Sequence, residues 1–122
     1  MTYNPSPITD PLVSIIIPTY NERDNIVDLL RQLQTVVPEA GIVVVDDNSP
    51  DGTGDEVRRF TRDAAPVELI VRVGERGLGS AYRDGLRYGL ENGYEVLITM
   101  DADGSHSPLH LPAHCYSSSR AM

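Results

Sequence analysis

The fold is decided by an apolar run that leads directly into a polar turn, Ile42-Val-Val-Val-Asp-Asp-Asn-Ser-Pro-Asp-Gly-Thr-Gly54. Four consecutive apolar residues are typical of a strand that is covered on both faces, as strands are in parallel sheets. The residues after the run favour turns, because short polar side chains bond to nearby backbone groups and glycine accepts unusual backbone angles. The stretch predicts a buried strand over 42–45, a turn over 47–54 and a helix after it.

The same alternation of strand and helix extends along the chain in both directions. Apolar, β-branched runs predict further strands over 12–17, 67–73 and 95–100. Amphipathic stretches predict helices over 22–36, 55–64 and 78–91. The order β-α-β-α-β-α-β predicts an α/β fold of three layers, α-β-α, around a mainly parallel sheet.

Particular residues mark the expected ends of these elements. Pro18 is expected to stop the first strand, and Asn21 to cap the helix that follows it. Gly93 is expected to end the third helix. Ser107 followed by Pro108 predicts the start of a further helix.

Chain length and terminal composition predict one domain over residues 12–113. A chain of 122 residues suits a single domain. Residues 1–11 contain three prolines and are expected to form a flexible tail. Residues 114–122 lack apolar periodicity and are expected to form a disordered or aberrant tail.

Composition narrows the classes of function. The formal net charge of −8 argues against a nucleic-acid-binding surface, which needs a basic footprint. No apolar run approaches the roughly 18 residues of a membrane span, and the N-terminus lacks the pattern of a signal peptide. The single cysteine, Cys115, excludes an internal disulfide and suits a reducing compartment. We therefore expect a cytoplasmic protein.

Polar residues gather where three of the predicted strands end, over 18–22, 46–51 and 101–105. The carboxyl ends of neighbouring parallel strands form one edge of a sheet, and ligands bind beyond that edge in such folds. The sequence therefore predicts a binding site built from these three segments.

The segment over 101–105 carries the pattern of a cation site. Asp101 and Asp103 stand two residues apart just after a strand, and Ser105 adds a hydroxyl two residues on. Hard cations such as Mg²⁺ and Mn²⁺ take oxygen ligands and share them with substrate phosphates. The pattern predicts a site for such an ion, with a surface turn as the plain alternative.

The other two segments offer groups that recognise a nucleoside. A carboxylate such as that of Asp46 accepts hydrogen bonds from the ring and amino N–H groups of a base. Tyr20 offers a ring for stacking, whereas Glu22 lies in the first helical turn, where the helix dipole alone favours a carboxylate. Calcium binding in an EF-hand manner is rejected, because Arg58 stands where that loop needs a glutamate.

Two further patterns are weak. The segment Arg76-Gly-Leu-Gly-Ser80 is either a phosphate cradle or a loop that lets helix and strand pack closely, and we favour the loop. It lacks the dinucleotide fingerprint, so a dehydrogenase is not favoured. The histidines at 106, 110 and 114 are spaced by four, but Pro108 and Pro112 break the helix that would align them for zinc.

Together the motifs resemble the family 2 glycosyltransferases, and specifically the polyprenol-phosphate (dolichol-phosphate) mannosyltransferases. The segments that carry the resemblance cover about residues 12–108, in the family's order. They are Ser14-Ile-Ile-Ile-Pro-Thr-Tyr-Asn-Glu-Arg-Asp-Asn25, Ile42-Val-Val-Val-Asp-Asp-Asn-Ser-Pro-Asp-Gly52, Arg76-Gly-Leu-Gly-Ser-Ala81 and Met100-Asp-Ala-Asp-Gly-Ser-His-Ser-Pro108.

The resemblance implies a nucleotide-sugar-binding GT-A fold and a metal-assisted reaction that uses Mg²⁺ or Mn²⁺. The implied reaction is transfer of mannose from GDP-mannose to a polyprenyl (dolichyl) phosphate. Contact with a membrane is implied only through the lipid acceptor or through a further C-terminal part, at the cytoplasmic membrane face.

The resemblance also implies roles for individual residues. The donor pocket is expected to be lined by Pro18, Tyr20 and Glu22, and the nucleoside to be contacted by Val44 and Asp46. The sugar diphosphate is expected to touch Asp101, Ala102 and Asp103. The ion is expected to be held by Asp101, Asp103 and Ser105, and the two aspartates to be catalytic.

Members of this family run longer, so the resemblance implies that the chain is the donor-binding half, inactive or nearly so as it stands. Two alternatives stay open. One is a non-catalytic nucleotide-binding or assembly module of the same fold, and the other is a family 2 enzyme that uses a UDP-sugar.

Overall fold

The structure is a computed structural model that describes residues 13–74 and 77–102, together with the backbone of 115–117. In chain order its elements are β1 (Val13–Thr19), α1 (Arg23–Val36), β2 (Gly41–Asp46), α2 (Thr53–Asp63), β3 (Glu68–Val71), α3 (Leu78–Glu91), β4 (Val96–Thr99) and β5 (Cys115–Ser117). None of the helices in the described ranges is long and apolar enough to cross a bilayer. The helix predicted to start at Ser107 lies outside the described residues.

The strands form one sheet in the order β3-β2-β1-β4-β5. β1 pairs in parallel with β2 on one side and with β4 on the other, and β2 pairs in parallel with β3. The predicted alternation of strands with helices and the predicted parallel sheet are therefore confirmed. The apolar run over 42–45 lies in β2, where all four side chains are buried.

Both faces of the sheet are covered, because successive side chains of a strand point to opposite faces. Ile15 and Ile17 belong to a core cluster with Leu30 of α1 and Phe60 of α2. Ile16, between them, belongs to a second cluster on the face that carries α3. The molecule thus has the three layers that the sequence predicts.

Two glycines let α3 lie close to the sheet. Gly85 faces Ile16 and Val45, and Gly89 faces Leu97. A side-chain carbon added at Gly89 would stand 2.5 Å from Leu97 Cδ2, and one added at Gly85 would overlap the Ile16 side chain. Non-bonded carbon atoms in close packing stay about 3.5–4 Å apart. The absence of side chains at these two positions therefore sets the distance between α3 and the sheet.

β1 runs through Pro18, which the sequence predicted would stop it. The Ile16 carbonyl accepts a hydrogen bond from the Met100 N–H of the β4 side, and the Thr19 carbonyl accepts one from Asp47 on the β2 side. Pro18 lies two residues after Ile16, so its backbone nitrogen points to the same side of β1 as the Ile16 carbonyl, toward β4. β4 ends at Thr99, before it reaches the level of Pro18. The missing N–H of proline costs no ladder bond there, which is why the strand continues.

The first helix begins one residue later than predicted, with Glu22 as its N-cap in place of Asn21. Asn21 adopts a φ of 57°, in the left-handed region that asparagine tolerates better than most residues. The Glu22 carbonyl accepts the first bonds of the helix, from the N–H groups of Asn25 and Ile26. Asn21 therefore turns the chain from strand to helix, and does not cap the helix.

β5 pairs antiparallel with β4, although the sequence predicted a tail without regular structure from residue 114. The structure differs from that prediction at Cys115–Ser117. An edge strand presents a row of unpaired backbone groups, and an extended segment of almost any composition can satisfy them. Such backbone pairing leaves no signal in side-chain periodicity, which explains the difference.

We expect Gly85→Ala to lower the free energy of unfolding by about 1–3 kcal/mol, because the new methyl group overlaps Ile16 in a packed core. Gly79→Ala is the matched control on the same helix, since among the described residues no atom beyond its chain neighbours and the backbone of its own helix lies within 4 Å of its added carbon. It should raise the free energy of unfolding by up to about 1 kcal/mol through helix propensity. Urea unfolding followed by circular dichroism measures both. Equal effects would contradict the close packing of α3.

Candidate functional site

The candidate site lies at the carboxyl ends of β1 and its two neighbours, where the strand order reverses. β1 is followed by β2 on one side, whereas β4 lies on its other side. Connections that leave a sheet in opposite directions open a crevice at that point. A cavity of about 360 Å³ occupies the crevice. Its described lining residues are Pro18, Thr19, Tyr20, Glu22, Asp47, Gly77, Leu78, Ala81, Asp101 and Ala102.

The structure brings together five of the residues that the sequence predicted for the site: Pro18, Tyr20, Glu22, Asp101 and Ala102. Tyr20 is one of the exposed large side chains of the molecule, whereas Ala102 is buried. Asp103 and Ser105 lie outside the described residues. The predicted convergence of the first and third segments on one cleft therefore holds for the residues that the structure describes.

The cavity continues the rows of side chains that face α3. In β1, β2 and β4 these side chains include Ile16, Val45 and Leu97. Followed at a period of two past the strand ends, the rows reach Pro18, Asp47 and Asp101, which all line the cavity. The alternation of side chains along β1, β2 and β4 thus places residues that follow three different strands on the same side of the cavity.

Val44 and Asp46 lie on the opposite face, and the structure does not bring them to the cavity. Val44 is fully buried in the core beneath α1 and α2. Asp46 is 2% exposed, and its carboxylate accepts hydrogen bonds from Thr19 Oγ1 at 2.7 Å and from the Ser49 N–H and hydroxyl at 2.9 and 2.5 Å. Both side chains point away from α3, so the nucleoside contacts implied for these two residues stay predictions that the cavity as described does not support.

The turn after β2 fixes the chain segment that leaves β1. The backbone N–H groups of residues 21–23 donate in order to Ser49 Oγ, Thr53 Oγ1 and Asp51 Oδ2, at 2.9, 3.0 and 3.1 Å. Burial raises the pKa of Asp51, but hydrogen bonds from Thr53 and from the Arg23 backbone outweigh it and lower that pKa below its usual value. The polar residues of the turn thus have a structural role.

Asp47 is the acidic residue that this turn presents to the cavity. Its carboxylate forms a two-bond ion pair with Arg72, with Nε–Oδ1 at 2.6 Å and Nη2–Oδ2 at 3.0 Å. The Gly77 N–H donates to Asp47 Oδ2 at 3.2 Å. The bonds to Asp47 raise the pKa of the Arg72 guanidinium above its usual value in spite of burial. Asp47 is therefore held in a defined orientation at the cavity wall.

Asp101 enters the cavity after β4 and is contacted from α3. Tyr82 Oη donates a hydrogen bond to Asp101 Oδ1 at 2.6 Å. Tyr82 lies on α3, which packs closely on the sheet because of Gly85 and Gly89. The close approach of the helix thus places a phenol within reach of the predicted metal ligand.

The cavity is acidic. Three of its described lining residues, Glu22, Asp47 and Asp101, carry carboxylates, and none of the described lining residues carries a cationic side chain. Within the described ranges, no three His, Cys, Asp or Glu side chains converge closely enough to hold an ion by themselves. Asp101 therefore needs further oxygen donors from a ligand or from the residues after 102. This donor chemistry fits a hard divalent cation.

Sequence reasoning missed three residues of the site: Asp47 as the cavity-facing carboxylate, Arg72 and Tyr82. The period of two from Val45 would have identified Asp47 once the helix-bearing face was known. A lone arginine directly after an apolar strand was a signal for Arg72. No local pattern marks Tyr82, because its contact with Asp101 spans 19 positions along the chain.

The two interpretations of the segment over 76–80, a phosphate cradle and a packing loop, both stay predictions. Gly77 and Leu78 line the cavity at the start of α3, so this part of the segment faces the site directly. Arg76 lies outside the described residues.

Comparison with known proteins gives the family. A model described as glycosyl transferase family 2 matches residues 14–115. An undecaprenyl-phosphate mannosyltransferase of Micrococcus luteus is 50% identical over 100 residues, which are 82% of this chain and 41% of the relative. A polyprenol monophosphomannose synthase of Mycolicibacterium smegmatis is 47% identical over 100 residues, which are 80% of this chain and 37% of the relative. The chain thus spans about two-fifths of these relatives.

A solved structure agrees with the family and the fold. The mannosyltransferase PcManGT from Pyrobaculum calidifontis, in complex with GDP-Man and Mn²⁺, is similar with a TM-score of 0.65 and 32% identity, over 76% of this chain and 28% of that chain. The structural neighbours have the GT-A fold, which confirms the fold expected from the sequence. Because the family model covers most of the chain, the chain belongs to glycosyl transferase family 2.

Proposed function

We propose that this chain is the donor-binding half of an enzyme that transfers mannose from GDP-mannose to a polyprenyl phosphate. The observation that carries the proposal is the acidic cavity at the reversal of strand order, where Tyr20, Asp47 and Asp101 line one cleft. The names of the two bacterial relatives support the acceptor class and the sugar. The GDP-Man of the solved mannosyltransferase supports the donor.

The nucleoside end of the donor is proposed to bind between Tyr20 and Asp47. The exposed ring of Tyr20 offers a face on which a base can stack. Asp47 accepts from the N–H groups of the base, the role that the resemblance implied for Asp46. Pro18 and Glu22 complete this wall, and Glu22 Oε1 is itself held by Asn25 Nδ2 at 3.0 Å.

The diphosphate end is proposed to lie at Asp101 and Ala102. Asp101 would hold Mg²⁺ or Mn²⁺ together with Asp103 and Ser105, whose positions lie outside the described residues. Such an ion, when bound, supplies Lewis-acid stabilisation of the leaving diphosphate. The protein's own part is to orient the Asp101 carboxylate, which Tyr82 does by its hydrogen bond.

The proposed transfer reaction needs no strong general base from the protein. A polyprenyl phosphate is already anionic at neutral pH, so its oxygen attacks the anomeric carbon of mannose directly. The bond between that carbon and the phosphate oxygen of GDP breaks as the new bond forms. The described residues therefore serve to bind and orient the donor. We propose that the lipid acceptor brings the protein to the cytoplasmic face of a membrane.

Two other functions are consistent with the same cavity. Uracil also presents a ring N–H to a carboxylate such as Asp47, which makes a UDP-sugar the second candidate donor. Calorimetric titration with GDP and with UDP, each with Mn²⁺, separates the two donors. A non-catalytic module would bind the nucleotide and transfer no sugar, so a radiolabelled transfer assay to polyprenyl phosphate separates it from an enzyme.

We expect Asp101→Asn to weaken Mn²⁺-dependent GDP binding at least about tenfold, because the amide lacks the charge that a hard cation needs. Calorimetry on the folded chain, with and without a chelator, measures the change. Asp55→Asn is the matched control, since Asp55 is exposed and paired only with Arg58 on α2 among the described contacts. Binding of wild-type strength in Asp101→Asn would place the ion elsewhere.

Two asparagine variants test whether Asp47 contacts the nucleoside while Asp46 has a structural role. Asp46→Asn should lower the free energy of unfolding by about 1–3 kcal/mol, because it disrupts bonds to Thr19 and Ser49 in a buried place. The GDP affinity of the folded variant should stay unchanged. Asp47→Asn should weaken GDP binding about tenfold, because one acceptor oxygen becomes a donor. The reverse pattern in calorimetry and urea unfolding would restore Asp46 as the ligand contact.

A further inference from the structure

Arg72 links the end of β3 to the cavity wall and to α3. Besides its two bonds to Asp47, Nη2 donates to the Gly77 carbonyl at 3.1 Å. Nη1 donates to Ser80 Oγ at 2.9 Å and to Asp84 Oδ2 at 3.0 Å. Five hydrogen bonds to described residues thus match the five N–H donors of a guanidinium.

Two carboxylates balance the charge of the buried Arg72 guanidinium. The Arg72 side chain is 5% exposed, and its partners Asp47 and Asp84 are 8% and 24% exposed. The hydrogen bond from Arg72 lowers the pKa of the Asp84 carboxyl below its usual value. The Arg72 guanidinium is therefore bound by two carboxylates. Asp84 and Ser80 on α3 bind its Nη1, and Asp47 binds its Nε and Nη2.

Arg72 is not among the described lining residues, so it acts on a ligand through its partners Asp47 and Gly77, which line the cavity. A carboxylate has about four acceptor positions. Three hydrogen bonds reach Asp47, two from Arg72 and one from the Gly77 N–H. These bonds fix the plane of the carboxylate and leave about one acceptor position for a further donor. Asp47 lines the cavity, so a ligand bound there can supply that donor.

We propose that Arg72 is a positioning residue that orients the Asp47 carboxylate so that the cavity selects a base with a ring N–H donor on its pairing edge. The inference rests on the proposed function, since it takes a nucleotide as the ligand. Guanine presents a ring N–H beside its amino group on that edge, whereas adenine presents its amino group beside a bare ring nitrogen, whose lone pair repels a carboxylate. Correct orientation of Asp47 therefore matters for GDP and not for ADP.

The test compares the wild-type chain with Arg72→Lys, which keeps the charge and loses the two-pronged geometry. Calorimetric titrations with GDP and with ADP, each with Mn²⁺, give the ratio of the two affinities. We expect GDP affinity to fall about tenfold and ADP affinity to stay unchanged. Arg58→Lys, the same change at an exposed arginine of α2, is the matched control and should alter neither affinity.

The outcomes separate the inference from the function on which it rests. A wild-type chain that binds no GDP refutes the proposed function. If the wild-type chain binds GDP and folded Arg72→Lys has the same ratio of GDP affinity to ADP affinity, the positioning role is refuted and the proposed function stays intact.

If Arg72→Lys does not fold, Asp84→Asn provides the test, because it removes one ion-pair partner of Arg72 at a partly exposed site. We expect that variant to lower the ratio about threefold, and an unchanged ratio would overturn the inference.

Discussion

The period of two along β1, β2 and β4 is the constraint on which the site depends. It sends Ile16, Val45 and Leu97 toward α3 and, beyond the strand ends, turns Pro18, Asp47 and Asp101 toward the same side. The helix must then lie close enough to close the cleft, and the bare backbone at Gly85 and Gly89 permits that approach. Packing in the core and geometry in the cavity are therefore consequences of one alternation.

The electrostatics of the cleft follow from the same arrangement. Two neighbouring aspartates end β2 and begin its turn, yet they face opposite ways and meet different partners. Asp46 is satisfied by hydroxyl and backbone groups inside the protein, whereas Asp47 is matched by the buried charge of Arg72. Asp101 accepts a hydrogen bond from the Tyr82 phenol. The Asp47 carboxylate is thus paired with a cation, whereas the described hydrogen bond of Asp101 comes from a hydroxyl group.

Most of the fold was predictable from the sequence, because long-range order here follows from local pattern. The bounds of α3 agree with the predicted 78–91, since its amphipathic stretch is framed by glycines. The extension of β1 through Pro18 was not predictable, because it depends on where the neighbouring strand ends. β5 was not predictable either, because backbone pairing at an edge requires no particular side chain.

The site was predictable in location and less so in detail. Strand-end chemistry predicted the edge of the sheet at which the cavity lies, but the choice between Asp46 and Asp47 as the cavity-facing residue required knowledge of which face carries α3. Arg72 and Tyr82 act through contacts between elements that are distant in sequence, so no spacing rule reveals them. The predicted roles of Asp103 and Ser105 remain predictions, since these residues lie outside the described part of the chain.

The most direct measurement is the broadening of backbone amide resonances by Mn²⁺ in the presence of GDP. Paramagnetic broadening falls steeply with distance, so it locates the ion without reference to activity. The account predicts that the amides of Asp101, Ala102 and Tyr82 broaden first, and that those of Val67 and Phe60 at the opposite end of the sheet stay sharp. Broadening centred on the amino ends of β2 and β3, or spread evenly over the chain, would contradict it.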